Sequence, residues 1–228
     1  MRRQKLKEQI IVYDFDKTVY GGETGTDFFI FYFKKNFIKS MIFFIFYIKD
    51  LFLYMIKRIN LTELKSRFYK FIEHETLESV EKLVEEYWRL SDKKIYSWFY
   101  DEIKLNKQEA DKIILISATP LFLIEKLALK LGFTNVFGTI LAKKVIDGKE
   151  YYDTKIIGKN CKNDIKVKVL NEWAKSISLD YEIIKFYSDS VADKPLFDLA
   201  KNKYWINKGK KTNGEPTRKK IYDKLFWR

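Results

Sequence analysis

Asp14 and Asp16 lie two residues apart at the end of a short apolar run, Ile10-Ile11-Val12-Tyr13, and Thr18 follows at the same spacing. Residues two apart in a strand point to the same side, so the two carboxylates converge on one small volume if extended geometry persists at the strand tip. Adjacent carboxylates repel unless a cation neutralises them or one keeps a proton. Such a pair suits Mg2+ chemistry in which one carboxylate attacks and the other moves a proton. With Thr18, three polar groups stand ready for phosphate and a hard cation.

Other chemistry-bearing residues follow apolar runs further along. Ser117 ends Ile113-Ile114-Leu115-Ile116, and Ser188-Asp189-Ser190-Val191-Ala192-Asp193 follows Ile183 to Tyr187. Lysines occur near position 166, with Lys166 and Lys168 both available. The continuous run at 113–117 is the mark of a buried strand of a parallel sheet, and Ile183 to Tyr187 reads as another buried strand. In open α/β sheets, ligands sit beyond the carboxyl ends of the strands, at the switch in strand order. The four features therefore line one crevice.

The intervening segments supply the elements. Ala118-Thr119-Pro120 breaks the second strand, and a helix follows through Leu123, Leu127 and Leu131 to Gly132, a C-cap. Val136 to Val145 and Tyr151 to Ile157 read as strands about an Asp147-Gly148 turn. Residues 165–177 read as a helix, and Tyr204-Trp205-Ile206 as a short last strand. This alternation predicts an α/β fold with a doubly wound, mostly parallel, Rossmann-like sheet. Residues 207–228 hold eight basic and two acidic residues with Gly and Pro and read as a solvated tail. Gly209-Lys210-Lys211-Thr212 lacks the spacing of a phosphate-binding P-loop.

Between the first and second strands the pattern turns helical. Leu64, Phe68, Phe71 and Ile72 recur at helical spacing, Thr76 is an N-cap for a second helix, and residues 91–111 form another. Residues 28–59 are unusual: Phe, Tyr, Ile and Leu dominate, with six basic residues and one acidic. The longest uncharged run, 40–48, is well short of the roughly 20 residues that span a bilayer. Three uses fit: the buried core of a small cap, a helix lying in the headgroups of an anionic membrane, or a subunit contact. Residues 28–90 are expected to be an inserted α-helical cap, with 1–27 and 91–228 forming the core domain.

Composition sets bounds. The 228 residues carry a net charge of +13, which favours anionic partners, although a solvated lysine surface gives the same figure. The single cysteine, Cys161, excludes intramolecular disulfides and reads as a buried, inert thiol in a reducing compartment. Only Ile10 to Tyr13 are apolar before Asp14, too few for a signal peptide. A cytoplasmic location, peripheral to the inner face of the membrane, is expected. His74, the only histidine, falls in the helical insert and reads as a surface residue.

Asp14-Phe15-Asp16-Lys17-Thr18, Ser117, Lys166 and Asp189…Asp193 together resemble the haloacid dehalogenase superfamily of aspartate-nucleophile phosphohydrolases. Gly158 to Lys166 looks like the subgroup that includes the phosphoserine phosphatases (subfamily IB), which carries a helical cap soon after the first motif. The resemblance implies a phosphatase in which Asp14 attacks phosphorus and Asp16 protonates the leaving group. Mg2+ would be held by Asp14, Asp16 (through its main-chain carbonyl) and Asp189. Two like charges ~4 Å apart cost about 4 kcal/mol at an effective dielectric near 20, which is what the cation removes. Asp14, Thr18, Ser117 and Lys166 would contact the phosphate, and Asp193 would orient the lysine and the metal shell. Glu23 and Arg67 match the positions at which phosphoserine phosphatases grip the substrate ammonium and carboxylate.

The substrate is less constrained. The hydrophobic, basic insert resembles phosphatases of lipid phosphates such as phosphatidylglycerophosphate, and phosphoserine-like small molecules are the alternative. A non-catalytic protein binding membrane or nucleic acid on the same fold is the rival class, although no specific nucleic-acid motif is present. Oligomeric state is not readable.

Overall fold

The computed structural model describes residues 7–214. Seven strands form one sheet in the order β4-β3-β2-β1-β5-β6-β7. β1 (Glu8–Tyr13) is central, with β2 (Lys112–Pro120) parallel on one side and β5 (Tyr181–Ser188) parallel on the other. β3 (Asn135–Ile146) and β6 (Asn202–Asn207) extend the parallel array, and antiparallel β4 (Lys149–Ile157) and β7 (Lys210–Asn213) close the two edges. The chain leaves β1 for one side of the sheet and returns through β5 on the other. The switch in strand order therefore falls at the end of β1, where Asp14 stands.

The strand pattern explains why the sheet is covered on both faces. Along β1, Ile11 and Tyr13 enter one apolar cluster and Ile10 and Val12 the other. The first cluster packs under α4 (Leu77–Ser91), α5 (Ser97–Glu109) and α6 (Leu121–Leu131). The second lies under α7 (Asp164–Ser176) and α8 (Lys194–Leu199). Alternating side chains thus bury both faces of one strand. Tyr13 and Tyr187 stack at 4.1 Å between ring centroids, and Asn106 on α5 donates to both phenol oxygens.

Helices α1 (Thr24–Lys35), α2 (Phe37–Met55) and α3 (Leu61–Phe68), then α4, fill the space between β1 and the α5–β2 unit. Asn60 and Glu63 form a capping box at the start of α3, and Thr76 accepts from the Ser79 amide to open α4. Phe28, Phe71 and Tyr87 join the same cluster as Tyr13 and Leu123, so these helices share a continuous apolar core with the sheet. Gly132 ends α6 at φ +104°, as its C-cap position requires.

Three expectations need correction. β2 does not break at Ala118 but runs on to Pro120, pairing with Thr139 after a register shift. Gly138 permits this close approach, since a Cβ there would sit 2.7 Å from the Thr119 carbonyl oxygen. Residues 91–111 are not one helix: a 3-10 turn (Asp92–Lys94) and an extended pair precede α5. The last strand is not β6, because Lys210–Asn213 folds back on it as β7; the remainder of the supposed tail, 215–228, lies outside the described residues.

Candidate active site

The crevice at the end of β1 gathers side chains from five parts of the chain. Asp14 is 7% exposed; its amide donates to the Tyr187 carbonyl at 2.9 Å, which carries the β1–β5 ladder up to the carboxylate. Lys166, 2% exposed in the first turns of α7, donates to Asp14 Oδ1 at 2.6 Å and to Asp193 Oδ2 at 2.8 Å. Ser188 also donates to Asp193 Oδ2, at 2.7 Å. Lys168, the other basic candidate, is directed outward and pairs with Asp164 at 3.6 Å. Geometry thus separates the two lysines.

Asp16 occupies a different environment. Its Oδ1 accepts from the amide of Thr24 at 2.9 Å and from the Thr24 hydroxyl, and its Oδ2 accepts from Thr119 Oγ1 at 2.5 Å. The carboxylate is thereby held away from Lys166. Ser117, 1% exposed, accepts from the Thr119 amide through its hydroxyl oxygen at 3.1 Å, which leaves the O–H proton to donate elsewhere. Thr18 departs from its expected role. Its hydroxyl donates to Asp14 Oδ2 at 3.2 Å and accepts from the Asp189 amide at 3.0 Å, so it braces the two loops instead of facing a phosphate.

Burial dominates the electrostatics. It pushes the Asp14 carboxyl up to about 7, against the lowering influence of Lys166, and pushes Asp189 up to about 8, with the charge of Asp14 adding to the effect. Asp16 is also raised by burial, with the Thr119 and Thr24 hydrogen bonds opposing. Burial works against the charge of Lys166, but Asp14 and Asp193 outweigh it and hold the amine above its usual range.

The residues fit a hard divalent cation. Buried Asp14 and half-buried Asp189 offer oxygen donors whose ionisation is disfavoured, and the Asp189 carboxylate has no hydrogen-bond or ion-pair partner among the described residues. No group of three or more His, Cys, Asp or Glu side chains forms a ligand set among the described residues. Two carboxylates completed by main-chain oxygen and water is a ligand set suited to Mg2+. The Asp16 carboxylate, occupied by Thr24 and Thr119, is not free to be a ligand.

The two expected specificity residues are both ion-paired. Glu23, next to Thr24, is exposed and paired with Lys17, and its charge is felt by Asp16 and Asp189; Arg67 on α3 is paired with Asp50 of α2 at 2.6 Å. Lys65, two residues before Arg67, reaches the site in its place. Its amine donates to the Ala118 carbonyl and to Asn160 Oδ1 at 2.8 Å, and burial pulls its pKa down to about 8. Thr139 contacts the same two acceptors at 2.7 and 2.9 Å. Thr119 had a readable signal: continued β2 alternation puts it on the side of Ser117. Thr24, Lys65 and Asn160 had none. His74 is exposed, and Cys161 is buried with its thiol pushed up to about 11 by desolvation.

The haloacid dehalogenase-like hydrolase model matches residues 11–198, a span that contains Asp14, Ser117, Lys166, Asp189 and Asp193. The chain belongs to that family. Among solved structures, this hydrolase is similar to a protein of unknown function from Bordetella pertussis Tohama I, with a TM-score of 0.71 at 18% identity, covering 85% of this chain and 87% of the other. A substrate-bound phosphoserine phosphatase complex matches with a TM-score of 0.54 at 20% identity over 88% and 86% of the two chains. A phospho-aspartyl intermediate analogue of phosphoserine phosphatase matches with a TM-score of 0.52 at 21% identity over 87% and 86%. At these identities the likeness is one of fold. Comparison with curated protein sequences found no match.

Proposed function

We propose that this hydrolase is a Mg2+-dependent phosphomonoesterase that works through an aspartyl phosphate on Asp14. The observation that carries the reading is the separation of two carboxylates two residues apart. Asp14 is bonded to Lys166, whereas Asp16 is bonded only to neutral donors. Divergent environments assign divergent roles: the carboxylate beside the fixed ammonium is the one that ionises to attack once a cation is bound, and the buried carboxyl held only by hydroxyl and amide donors can carry a proton.

Asp14 Oδ attacks phosphorus, and the ester oxygen departs as Asp16 gives it a proton. Asp16 then takes a proton from water as that water attacks the acyl phosphate, releasing inorganic phosphate and restoring the Asp14 carboxylate and the protonated Asp16. The Lys166 ammonium and the Ser117 hydroxyl stabilise charge on the transferring oxygens, with Asp193 and Ser188 fixing the lysine. Bound Mg2+, held by Asp14, Asp189 and the Asp16 main-chain carbonyl, would offset the repulsion between nucleophile and phosphate dianion.

Residues 28–90 serve as the cap in this reading, and the substrate is a lipid or membrane-associated phosphate such as phosphatidylglycerophosphate, met at an anionic membrane. The ion pairs that occupy Glu23 and Arg67 weigh against a phosphoserine-like zwitterion. A phosphoserine-like substrate remains the second reading, favoured by the phosphoserine phosphatases among the structural neighbours. A panel of p-nitrophenyl phosphate, phosphoserine and phosphatidylglycerophosphate, assayed with and without Mg2+, tests it. Hydrolysis of the aryl ester that depends on Mg2+ is expected, with the lipid ester preferred. No turnover of any ester by metal-loaded protein would overturn the reading.

A further inference from the structure

The 19 residues of α2 are apolar on the side that faces away from the protein. Its inward face is a narrow strip: Phe43 and Tyr47 pack on Phe68 and Phe71, and Asp50 holds Arg67. The opposite side is uncovered. Ile38 (76% exposed), Ile45 (62%), Phe52 (58%) and Met55 (76%) lie along it with Met41 and Ile48, at alternating spacings of three and four. Ile42, Phe44, Phe46 and Leu51 are exposed as well and flank that stripe on both sides. At 100° per residue the apolar arc covers roughly 200° of the helix. A large exposed apolar patch of this kind marks an interaction surface.

The width of the arc and the charges around it distinguish the occupants. Two helices meeting along a seam cover a narrow a/d stripe, which the six spaced residues alone would satisfy. The flanking Ile42, Phe44, Phe46 and Leu51 would remain in water at such a seam, whereas an interface that wraps the helix covers them. Lys49 stands inside the arc, between the stripe and Ile42, Lys34 precedes the helix, and Lys57 and Arg58 follow it. None of these four forms an ion pair among the described residues, although Lys35 is paired with Glu86 and Lys39 with Glu75. Unpaired cations at the ends of an aromatic-rich apolar arc, with one lysine within it, match a helix seated at the headgroup level of an anionic bilayer, with lysine stems reaching up to the phosphates. No helix among the described residues is long and apolar enough to cross a membrane, so α2 would lie in the interface plane.

We infer that α2 is a membrane-docking helix whose outer face inserts into the surface of an anionic bilayer. α3 packs against the inner side of α2 and, through Lys65, against Ala118 beside Ser117. One helix diameter, ~10 Å, therefore separates the docked surface from the layer that covers the crevice. Docking rests on the surface alone. Its consequence, that phosphate esters reach the site from the membrane side, rests on the phosphatase reading.

The test uses the full chain and flotation with vesicles of phosphatidylcholine alone or mixed with phosphatidylglycerol. The chain is expected to float with the anionic vesicles at least ~10-fold more than with the neutral ones, and the difference is expected to shrink as salt is added. Ile45→Glu with Phe52→Glu removes flotation, and Lys49→Glu with Lys57→Glu removes the preference for anionic lipid. Both pairs should retain Mg2+-dependent hydrolysis of p-nitrophenyl phosphate, which reports an intact fold. Absence of flotation with either vesicle overturns the inference, as does a dimer in sedimentation velocity that Ile45→Glu with Phe52→Glu converts to monomer without vesicle binding. Flotation by a chain that hydrolyses no ester defeats the phosphatase reading and leaves docking intact.

Discussion

Lys166 Nζ stands 2.6 Å from Asp14 Oδ1, although 152 residues separate the two in the chain. The pair joins the end of the central strand to the first turns of α7, and Asp193 completes it from the loop after β5. Lys166 is the only cation in contact with either carboxylate among the described residues. Lys166→Met would leave two buried carboxylates facing each other, because a buried ion pair broken from one side leaves an uncompensated charge. The expected loss is about 3 kcal/mol of unfolding free energy by urea titration. Turnover should fall by roughly 10^3 as the charge at the transferring oxygens is lost. A variant with wild-type stability would show that the pair contributes little.

Asp16 can be tested through the leaving group. Nitrophenolate departs without a proton, whereas an alkoxide does not, so Asp16→Asn should slow alkyl phosphate hydrolysis by about 10^2 or more and p-nitrophenyl phosphate far less. Equal losses on both esters, measured as kcat, would remove the proton-transfer role.

The acidic groups set a pH dependence with a definite sign. Asp14 and Asp189 are held up to about 7 and about 8, above their ordinary value of 3.8. The metal-free fold therefore binds protons that the unfolded chain releases, and its stability should fall as pH rises from about 4 to 8. Mg2+ needs the ionised forms, so its affinity should rise over the upper part of that range, by up to about tenfold per pH unit for each proton displaced. Calorimetric titration in buffers of different ionisation enthalpy reads the proton count. An affinity that does not change between pH 6 and 8 would contradict it.

The strand ends were legible because each apolar run stops at its polar residue: Ile113 to Ile116 at Ser117, Ile183 to Tyr187 at Ser188. The two-sided core follows from that pattern and appears in the alternation of Ile10, Ile11, Val12 and Tyr13 between two clusters. The extension of β2 to Pro120 was hidden by its proline, which is tolerated where the register shifts. β7 was hidden by its lysines, which suit an exposed edge strand. Lys65, Thr24 and Asn160 join the site only through tertiary packing, which no local period encodes. The exposure of α2 was unreadable for a related reason. A helix apolar on all sides reads the same whether its second face meets protein or nothing.

Lys65 offers a test of the covering layer. Its folded pKa of about 8 lies below the ordinary 10.5, so the fold bears a cost for the charged amine below pH 8 that disappears as pH rises towards 10.5. Thr139 still contacts both of its acceptors. Lys65→Met should therefore match or exceed wild-type stability at pH 7, with the advantage shrinking at pH 10, while KM rises about tenfold. Thermal unfolding at the two pH values and steady-state kinetics check both parts. A large loss of stability at pH 7 would mark the amine as a structural tie instead.

The central claim is that phosphorus becomes bonded to Asp14. Protein turning over p-nitrophenyl phosphate with Mg2+ can be quenched, reduced with borohydride and digested, so that an acyl phosphate is read by mass spectrometry as homoserine. Homoserine at position 14, absent without substrate and absent in Asp14→Asn, is the expected result. Rapid turnover with no reduced residue at 14, or with the mark on another carboxylate, would contradict the account.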